Sequence, residues 1–348
     1  MSEKQQRRIV FFLGAGASLG AGALTTVQHG GKLAIPTQDT FWETLLRFCR
    51  NDDRRKRIES FLFRYFLGYS QAPARANAAS RRKLLKGIDV EEVFTFLSER
   101  NRAPGTSSQF QLYTKEVWED LLHELGHLFA RFMPNATTRR VYRAFLKQHV
   151  RQWDPIVSFN YDVIFEYSLP GNHRWHYSGV VQPGGTKILK PHGSINWEEI
   201  DGRIRIHDDP KDFPTMPIVV APTHLKFIGS GETSIDINSE LQPTYGYLNQ
   251  SEEISKIWKI MENEMRDAKA LVFIGYSFPP SDLYFSSVLR SALAVRTRHP
   301  FVVIVNPDSM AIRGRIHSRF GLPLERFRTY SDLQTFNQVT REQLRDLF

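Results

Sequence analysis

The sequence predicts an α/β fold of the Rossmann-like kind, a parallel sheet with helices on both faces, plus an inserted helical module. Three observations carry this. Ile9-Val10-Phe11-Phe12-Leu13 is a short continuous apolar run closed by glycine, the pattern of a strand buried on both faces. Comparable runs recur at 155–159, 187–190, 216–220, 270–274 and 301–305. Helical patterns separate the later ones, as a parallel sheet with crossover helices requires. From about Thr40 to Val150 there is no such run, only helix formers and aromatics. The expected organisation is a discontinuous core, 1–40 and 151–348, with the helical module at 41–150.

Within that module Phe41, Trp42, Leu45, Leu46 and Phe48 begin one helix. Asp89, with Glu92 three residues on, resembles a capping box for a second, running through Val93, Phe94, Phe96 and Leu97. A third is expected over 109–133, with loops at 71–80 and 102–108. In the core, a short helix should follow Asp162 at 163–169. Ile254, Ile257, Trp258, Met261 and Met265 fall at helical spacing within 251–267. Further helices are expected at 281–293 and 309–320.

Of 348 residues, 41% are hydrophobic and 24% charged, the balance of a soluble globular chain, which excludes disorder and collagen-like repeats. Lys and Arg outnumber Asp and Glu 46 to 37, for a net charge of +9, which favours anionic partners. Basic clusters at Arg54-Arg55-Lys56-Arg57, Arg81-Arg82-Lys83 and Arg313 to Arg319 read first as solvated helix faces, and second as a nucleic-acid or partner-docking face. A single cysteine, Cys49, excludes an intrachain disulfide and any zinc site built on paired cysteines, and a cytoplasmic location is expected. The uncharged stretch from Ile9 to Gly31 is strongly apolar only to Leu13, after which Gly14, Gly16, Gly20 and Gly22 follow. It suits neither a membrane span nor a secretory signal, so no membrane partner is expected.

Five blocks carry polar residues at strand ends, where open α/β sheets bind ligands. Gly14-Ala15-Gly16-Ala17-Ser18 follows the first strand, and its glycines would let backbone amides approach a pyrophosphate. A plain tight turn is the alternative. Ser158-Phe159-Asn160-Tyr161-Asp162 follows the second run, where Asn and Asp can equally cap the next helix. Lys190-Pro191-His192-Gly193-Ser194 offers a histidine of ordinary pKa near 6.5 as a general base. Gly275-Tyr276-Ser277 precedes a helix and suits phosphate, and Asn306 could hold a ribose hydroxyl.

The order of these blocks resembles the motif series of the sirtuin (silent information regulator) family, in particular the bacterial sirtuin-like proteins that keep the NAD-binding core without the deacetylase zinc module. The resemblance covers 9–39 and 155–308. The chain departs from the protein deacetylases in lacking four zinc cysteines after the histidine, and in carrying Ile35-Pro36-Thr37-Gln38-Asp39 where they have Gly-Ile-Pro-Asp-Phe-Arg. It also has Ser158-Phe159-Asn160-Tyr161-Asp162 where they have Thr-Gln-Asn-Ile-Asp. The resemblance implies NAD as substrate, cleaved at the nicotinamide–ribose bond to nicotinamide and ADP-ribose, with no metal. It assigns Asn160, Asp162 and His192 to catalysis and Gly14, Ala15, Gly16, Ser18, Gly275, Ser277 and Asn306 to NAD binding. It further implies antiphage defence by NAD depletion, a homo-oligomer, and a partner ATPase or other defence subunit.

Two other readings stand beside it: a non-catalytic NAD or ADP-ribose sensor or scaffold and, more remotely, an NAD-dependent deacylase. A third comes from His123-Glu124-Leu125-Gly126-His127, a His-Glu-x-x-His on an expected helix that reads in isolation as a zinc metalloprotease. Catalytic zinc needs a third ligand, for which Glu166 is a candidate. Both histidines could instead border the apolar face of Val117, Leu121, Leu125 and Leu128.

Overall fold

The structure, a computed structural model, describes residues 8–26, 31–69, 78–102, 108–181, 184–220 and 252–345. In chain order, β1 (Ile9–Leu13) leads into α1 (Ala15–Gly20) and the hairpin of β2 (Leu24–Thr26) and β3 (Lys32–Ala34). Then come α2 (Phe41–Phe48), α3 (Asp52–Tyr65), α4 (Ala78–Lys86), α5 (Val90–Arg102), α6 (Ser108–Phe129) and α7 (Ala136–His149). The chain continues through β4 (Ile156–Ser158), α8 (Ile164–Ser168), β5 (Trp175–Tyr177), β6 (Thr186–Leu189), β7 (Gly193–Ser194), β8 (Trp197–Ile200), β9 (Arg203–Ile206) and β10 (Ile218–Val219). It closes with α9 (Glu252–Asp267), β11 (Ala270–Ile274), α10 (Leu283–Ala294), β12 (Phe301–Val305), α11 (Ser309–Phe320), β13 (Phe327–Tyr330), α12 (Leu333–Phe336) and α13 (Arg341–Arg345).

Seven strands form one parallel sheet in the order β13-β12-β11-β1-β4-β6-β5. β1 is central because it is apolar on both faces: all five of its residues are buried, and Phe11 pairs with Val272 on one side and Ile156 on the other. From β1 the chain builds outward through β4, then returns to build outward the other way through β11. The strand order therefore reverses between β1 and β11, the place where such sheets bind ligands at their carboxyl ends. α7 covers part of the sheet, with Phe145 edge-on to Phe11 at 5.2 Å and His149 stacked on Phe336 of α12 at 4.1 Å.

The loops after β1 and β11 touch backbone to backbone. Gly14 N donates to Ile274 O at 2.9 Å and Gly16 N to Gly275 O at 3.0 Å. A Cβ on Gly275 would lie 2.0 Å from Ala17 N, and one on Gly14 would lie 2.7 Å from Tyr276 Cα. Gly275 also has a φ of +63°, in the left-handed region. These glycines therefore serve a loop-to-loop contact, and the amides of Gly14 and Gly16, expected to meet a pyrophosphate, are already bonded to carbonyls.

Several other expectations are revised. The run at 216–220 supplies only β10, which pairs antiparallel with β7 outside the main sheet. The edge strands β5 and β13 match none of the expected runs, because at three and four residues they carry little periodic signal. α6 ends at Phe129 rather than Met133, tightening into i→i+3 bonds from Arg131 and Phe132 ahead of Pro134, which disfavours helix in the residue before it. At the start of α5, Asp89 Oδ1 accepts from the amides of Glu91 and Glu92 at 2.8 and 3.2 Å. The loops expected at 71–80 and 102–108 lie largely outside the described residues.

The basic cluster of α3 is not a uniformly solvated face. Arg57 holds Asp120 and Glu116 of α6, each at 2.7 Å, and Arg54 reaches Glu124 at 3.3 Å. Arg81 pairs with Glu59 at 3.0 Å. These arginines join helices to one another, which reduces the charge left for nucleic acid. No helix among the described residues is long and apolar enough to cross a membrane.

The loop contact sets a test. Gly275→Ala should destabilise the chain by about 2–4 kcal/mol in denaturant melts, combining backbone strain with a main-chain clash. Gly20→Ala, whose Cβ would meet nothing within 4 Å, should be neutral or stabilising by up to about 1 kcal/mol.

Candidate functional site

The expected site residues all stand at the carboxyl ends of sheet strands: Gly14 to Ser18 after β1, Asn160 and Asp162 after β4, His192 after β6, Gly275 and Ser277 after β11, and Asn306 after β12. They fall into three groups.

Ser18, Asn160 and Asp162 form one hydrogen-bonded cluster. Asn160 Nδ2 donates to Ser18 Oγ at 3.3 Å, and Ser18 Oγ donates to the Asp162 carboxylate, 3.3 and 3.2 Å from its two oxygens. Tyr142 of α7 approaches Ser18 Oγ at 3.5 Å. Asp162 Oδ1 also accepts from Ile164 N, the first amide of α8, at 3.0 Å. Burial pushes its carboxyl up to about 6, against the opposing pull of Lys190.

Lys190, wholly buried, ties this cluster to the histidine loop. Its Nζ donates to Asp162 O at 2.6 Å and to Glu166 Oε1 at 3.0 Å, and Tyr177 OH donates to the same Glu166 oxygen at 3.3 Å. Glu166, considered above as a zinc ligand, is thus paired inside the core. Neither Lys190 nor Glu166 could be assigned this role from sequence, since a lysine at a strand end is ordinarily solvated.

His192 occupies the second group, 3% exposed. Its ring lies 5.1 Å from that of Phe159, 5.9 Å from Trp258 and 6.4 Å from Tyr161. Gly193 makes the turn that places it: φ is +83°, and a Cβ there would lie 2.1 Å from Ile218 O. The loop is held by Trp258 Nε1 donating to Pro191 O at 3.0 Å and Val220 N donating to His192 O at 2.9 Å. His192 Nε2 faces Asp282 Oδ2 at 3.9 Å. Asn160 and His192 thus sit on loops of neighbouring strands, but the amide turns to Ser18 while the imidazole faces Asp282. Phe159, just before Asn160 in the chain, reaches the histidine.

The third group is an exposed rim. Ala15 and Ser277 are exposed, Gly16 and Asn306 half-buried. Ser277 O accepts from Arg315 Nη2 at 2.7 Å. Asn306 Oδ1 accepts from Asp308 N at 2.9 Å, a local turn ahead of α11. The inserted helices also reach this edge: Ser281 Oγ donates to Asp89 Oδ2 at 3.1 Å and Glu91 Oε2 at 2.9 Å.

His123 and His127 share a face of α6, ring centroids 4.5 Å apart. The Arg54 guanidinium lies 2.8 Å from His123 Nδ1 and 3.3 Å from Glu124 Oε1, so a fixed cation already sits among these groups. Burial, then nearby arginines, lower both imidazole pKa values. No group of three or more His, Cys, Asp or Glu among the described residues could hold a metal ion.

No family model matches the sequence, and no curated protein matches it. Among solved structures, the chain is similar to two complexes of Sir2 homologues with ADP-ribose, one a serine-to-alanine and the other a histidine-to-asparagine mutant. Each is 15% identical at a TM-score of 0.33, covering 100% of this chain and 96% of the other. A structure described under the mechanism and regulation of Sir2 enzymes is 14% identical at a TM-score of 0.36, covering 98% and 94%.

Two measurements test the buried charges. With its carboxyl raised from 3.8 to about 6, folded Asp162 keeps a proton that the unfolded chain has released, so its contribution makes stability fall as pH rises through that window. The stability of Asp162→Asn relative to wild type should accordingly rise by roughly 1–3 kcal/mol between about pH 4 and 7. Lys190→Met leaves Glu166 buried without its cation and should cost about 3–5 kcal/mol, partly recovered by adding Glu166→Gln.

Proposed function

We propose that this chain is an NAD hydrolase that cleaves the nicotinamide–ribose bond and releases nicotinamide and ADP-ribose. The observation that supports this best is the gathering of Ser18, Asn160 and Asp162 into one bonded cluster on the strand ends beside the His192 loop, next to the point where strand order reverses. Nicotinamide leaves as a neutral group from a cationic linkage, so a strong general acid is not required. The site has to stabilise a cationic ribose centre and deliver a nucleophile.

In this reading Asp162 lies on the nicotinamide-ribose side, where a carboxylate favours developing positive charge. Asn160, oriented by Ser18, positions water or the ribose hydroxyls. His192 takes the proton from the attacking group. Gly14, Ala15, Gly16, Gly275 and Ser277 form the pyrophosphate side, and Asn306 faces the adenosine ribose. With the Gly14 and Gly16 amides already bonded, the exposed edge at Ala15 and Ser277 would have to supply the phosphate contacts. Depletion of NAD in antiphage defence, by a homo-oligomer or with a partner ATPase, belongs to the same proposal.

The non-catalytic reading has its own support, the close packing of Phe159, Tyr161 and Trp258 around His192. Incubation of purified protein with NAD separates the two. Hydrolysis predicts release of nicotinamide and ADP-ribose, with Asn160→Ala and His192→Ala each reducing it by at least about 100-fold while the variants stay folded. Saturable NAD or ADP-ribose binding without turnover would instead make the chain a sensor.

A further inference from the structure

We propose that Asp282 is a positioning residue for His192, supplying a buried charge that holds the imidazole in its working orientation and protonation state. This rests on the reading of His192 as the proton acceptor in NAD cleavage, and it adds a partner on a strand-end loop that is remote in sequence.

Asp282 has no exposed surface. Its Oδ1 accepts from Phe285 N at 3.0 Å, capping the twelve-residue helix α10, and its Oδ2 accepts from Tyr276 OH at 2.7 Å. That same Oδ2 stands 3.9 Å from His192 Nε2. The separation exceeds a hydrogen bond but is within ion-pair reach. Burying a carboxylate is costly unless it is compensated. Here the first-turn amide of Phe285 and the Tyr276 phenol both donate to it. The same carboxylate also faces the imidazole, among aromatic side chains where charge is weakly screened.

Among the described residues, several groups surround the imidazole. Asp282 and Tyr276 come from the loop before α10, Tyr161 from the loop after β4, and Trp258, which does not titrate, from α9. The charge of Glu91 on α5 is felt at both Tyr161 and Tyr276. Lys190, two residues before His192, is committed to Glu166 and the Asp162 carbonyl. Among the described residues, Asp282 brings a carboxylate within 4.0 Å of His192 Nε2. A helix cap alone would need only one oxygen, and asparagine would serve as well.

That equivalence provides the test. Asp282→Asn keeps the cap and a partner for Tyr276 OH while removing the charge. Its melting temperature should match wild type, kcat for nicotinamide release should fall by about 10–100-fold, and KM for NAD should change by less than about twofold. Tyr276→Phe, which removes the phenol from Oδ2, should move kcat the same way by a smaller factor. NMR titration of the His192 ring provides a readout independent of turnover: its midpoint should fall in Asp282→Asn. Unchanged kcat and an unchanged titration would overturn the proposal and leave Asp282 as a helix cap. If the wild-type protein releases no nicotinamide, the hydrolase reading fails separately, and the ring titration alone decides whether the pair exists. If Asp282→Asn fails to fold, Tyr276→Phe carries the same two measurements, and no change in either would overturn the pairing.

Discussion

The loops after β1 and β11 meet backbone to backbone, closer than side chains would allow, and the rest of the site is built on that contact. Here Gly14 and Gly16 meet the Ile274 and Gly275 carbonyls at 2.9 and 3.0 Å, with space for no Cβ at Gly275. α1 starts immediately beyond that contact, so its register fixes where Ser18 lies. Ser18 in turn holds Asn160 and Asp162. Ser18 directly follows Ala17, against which Gly275 packs, so a shift at Gly275 would pass to the Ser18 hydroxyl with no flexible joint between.

The polar residues around the site sit in dry surroundings. Lys190, Glu166, Asp162 and Asp282 are all buried. Each has partners that limit the cost: a carbonyl and a carboxylate for Lys190, a lysine and a phenol for Glu166, and a backbone amide for each aspartate. Such networks contribute little net stability compared with packed apolar groups. Their value is geometric, because a buried charge with fixed partners tolerates few alternative arrangements. Lys190 illustrates this. It anchors the backbone carbonyl of Asp162 from the loop that carries His192, so two chain segments 28 residues apart keep one spacing.

The sheet was legible because its central strands are continuous apolar runs: β1, β11 and β12 fall where Ile9–Leu13, Ala270–Ile274 and Phe301–Val305 stand in the sequence. The edge strands β5 and β13 were not, since three or four residues produce no period. The polar strand-end blocks were also visible in sequence, but their inner order was not. Nothing in Gly14-Ala15-Gly16 distinguishes a glycine that approaches a phosphate from one that approaches Gly275. Asp282 was likewise hidden, as an aspartate before a helix reads as a cap, which it also is. The His-Glu-x-x-His pattern was legible as a spacing, but only the fold reveals Arg54 beside it.

The contact between Phe145 and Phe11 bears on how the inserted segment can be treated. α7 lies within that segment, yet its rings roof the central strand and its Tyr142 reaches Ser18. Cutting the chain near residues 40 and 150 to isolate the sheet would therefore uncover Phe11 and expose an apolar face prone to self-association. A minimal soluble version of the protein would have to retain α7, with any excision confined to the helices that precede it.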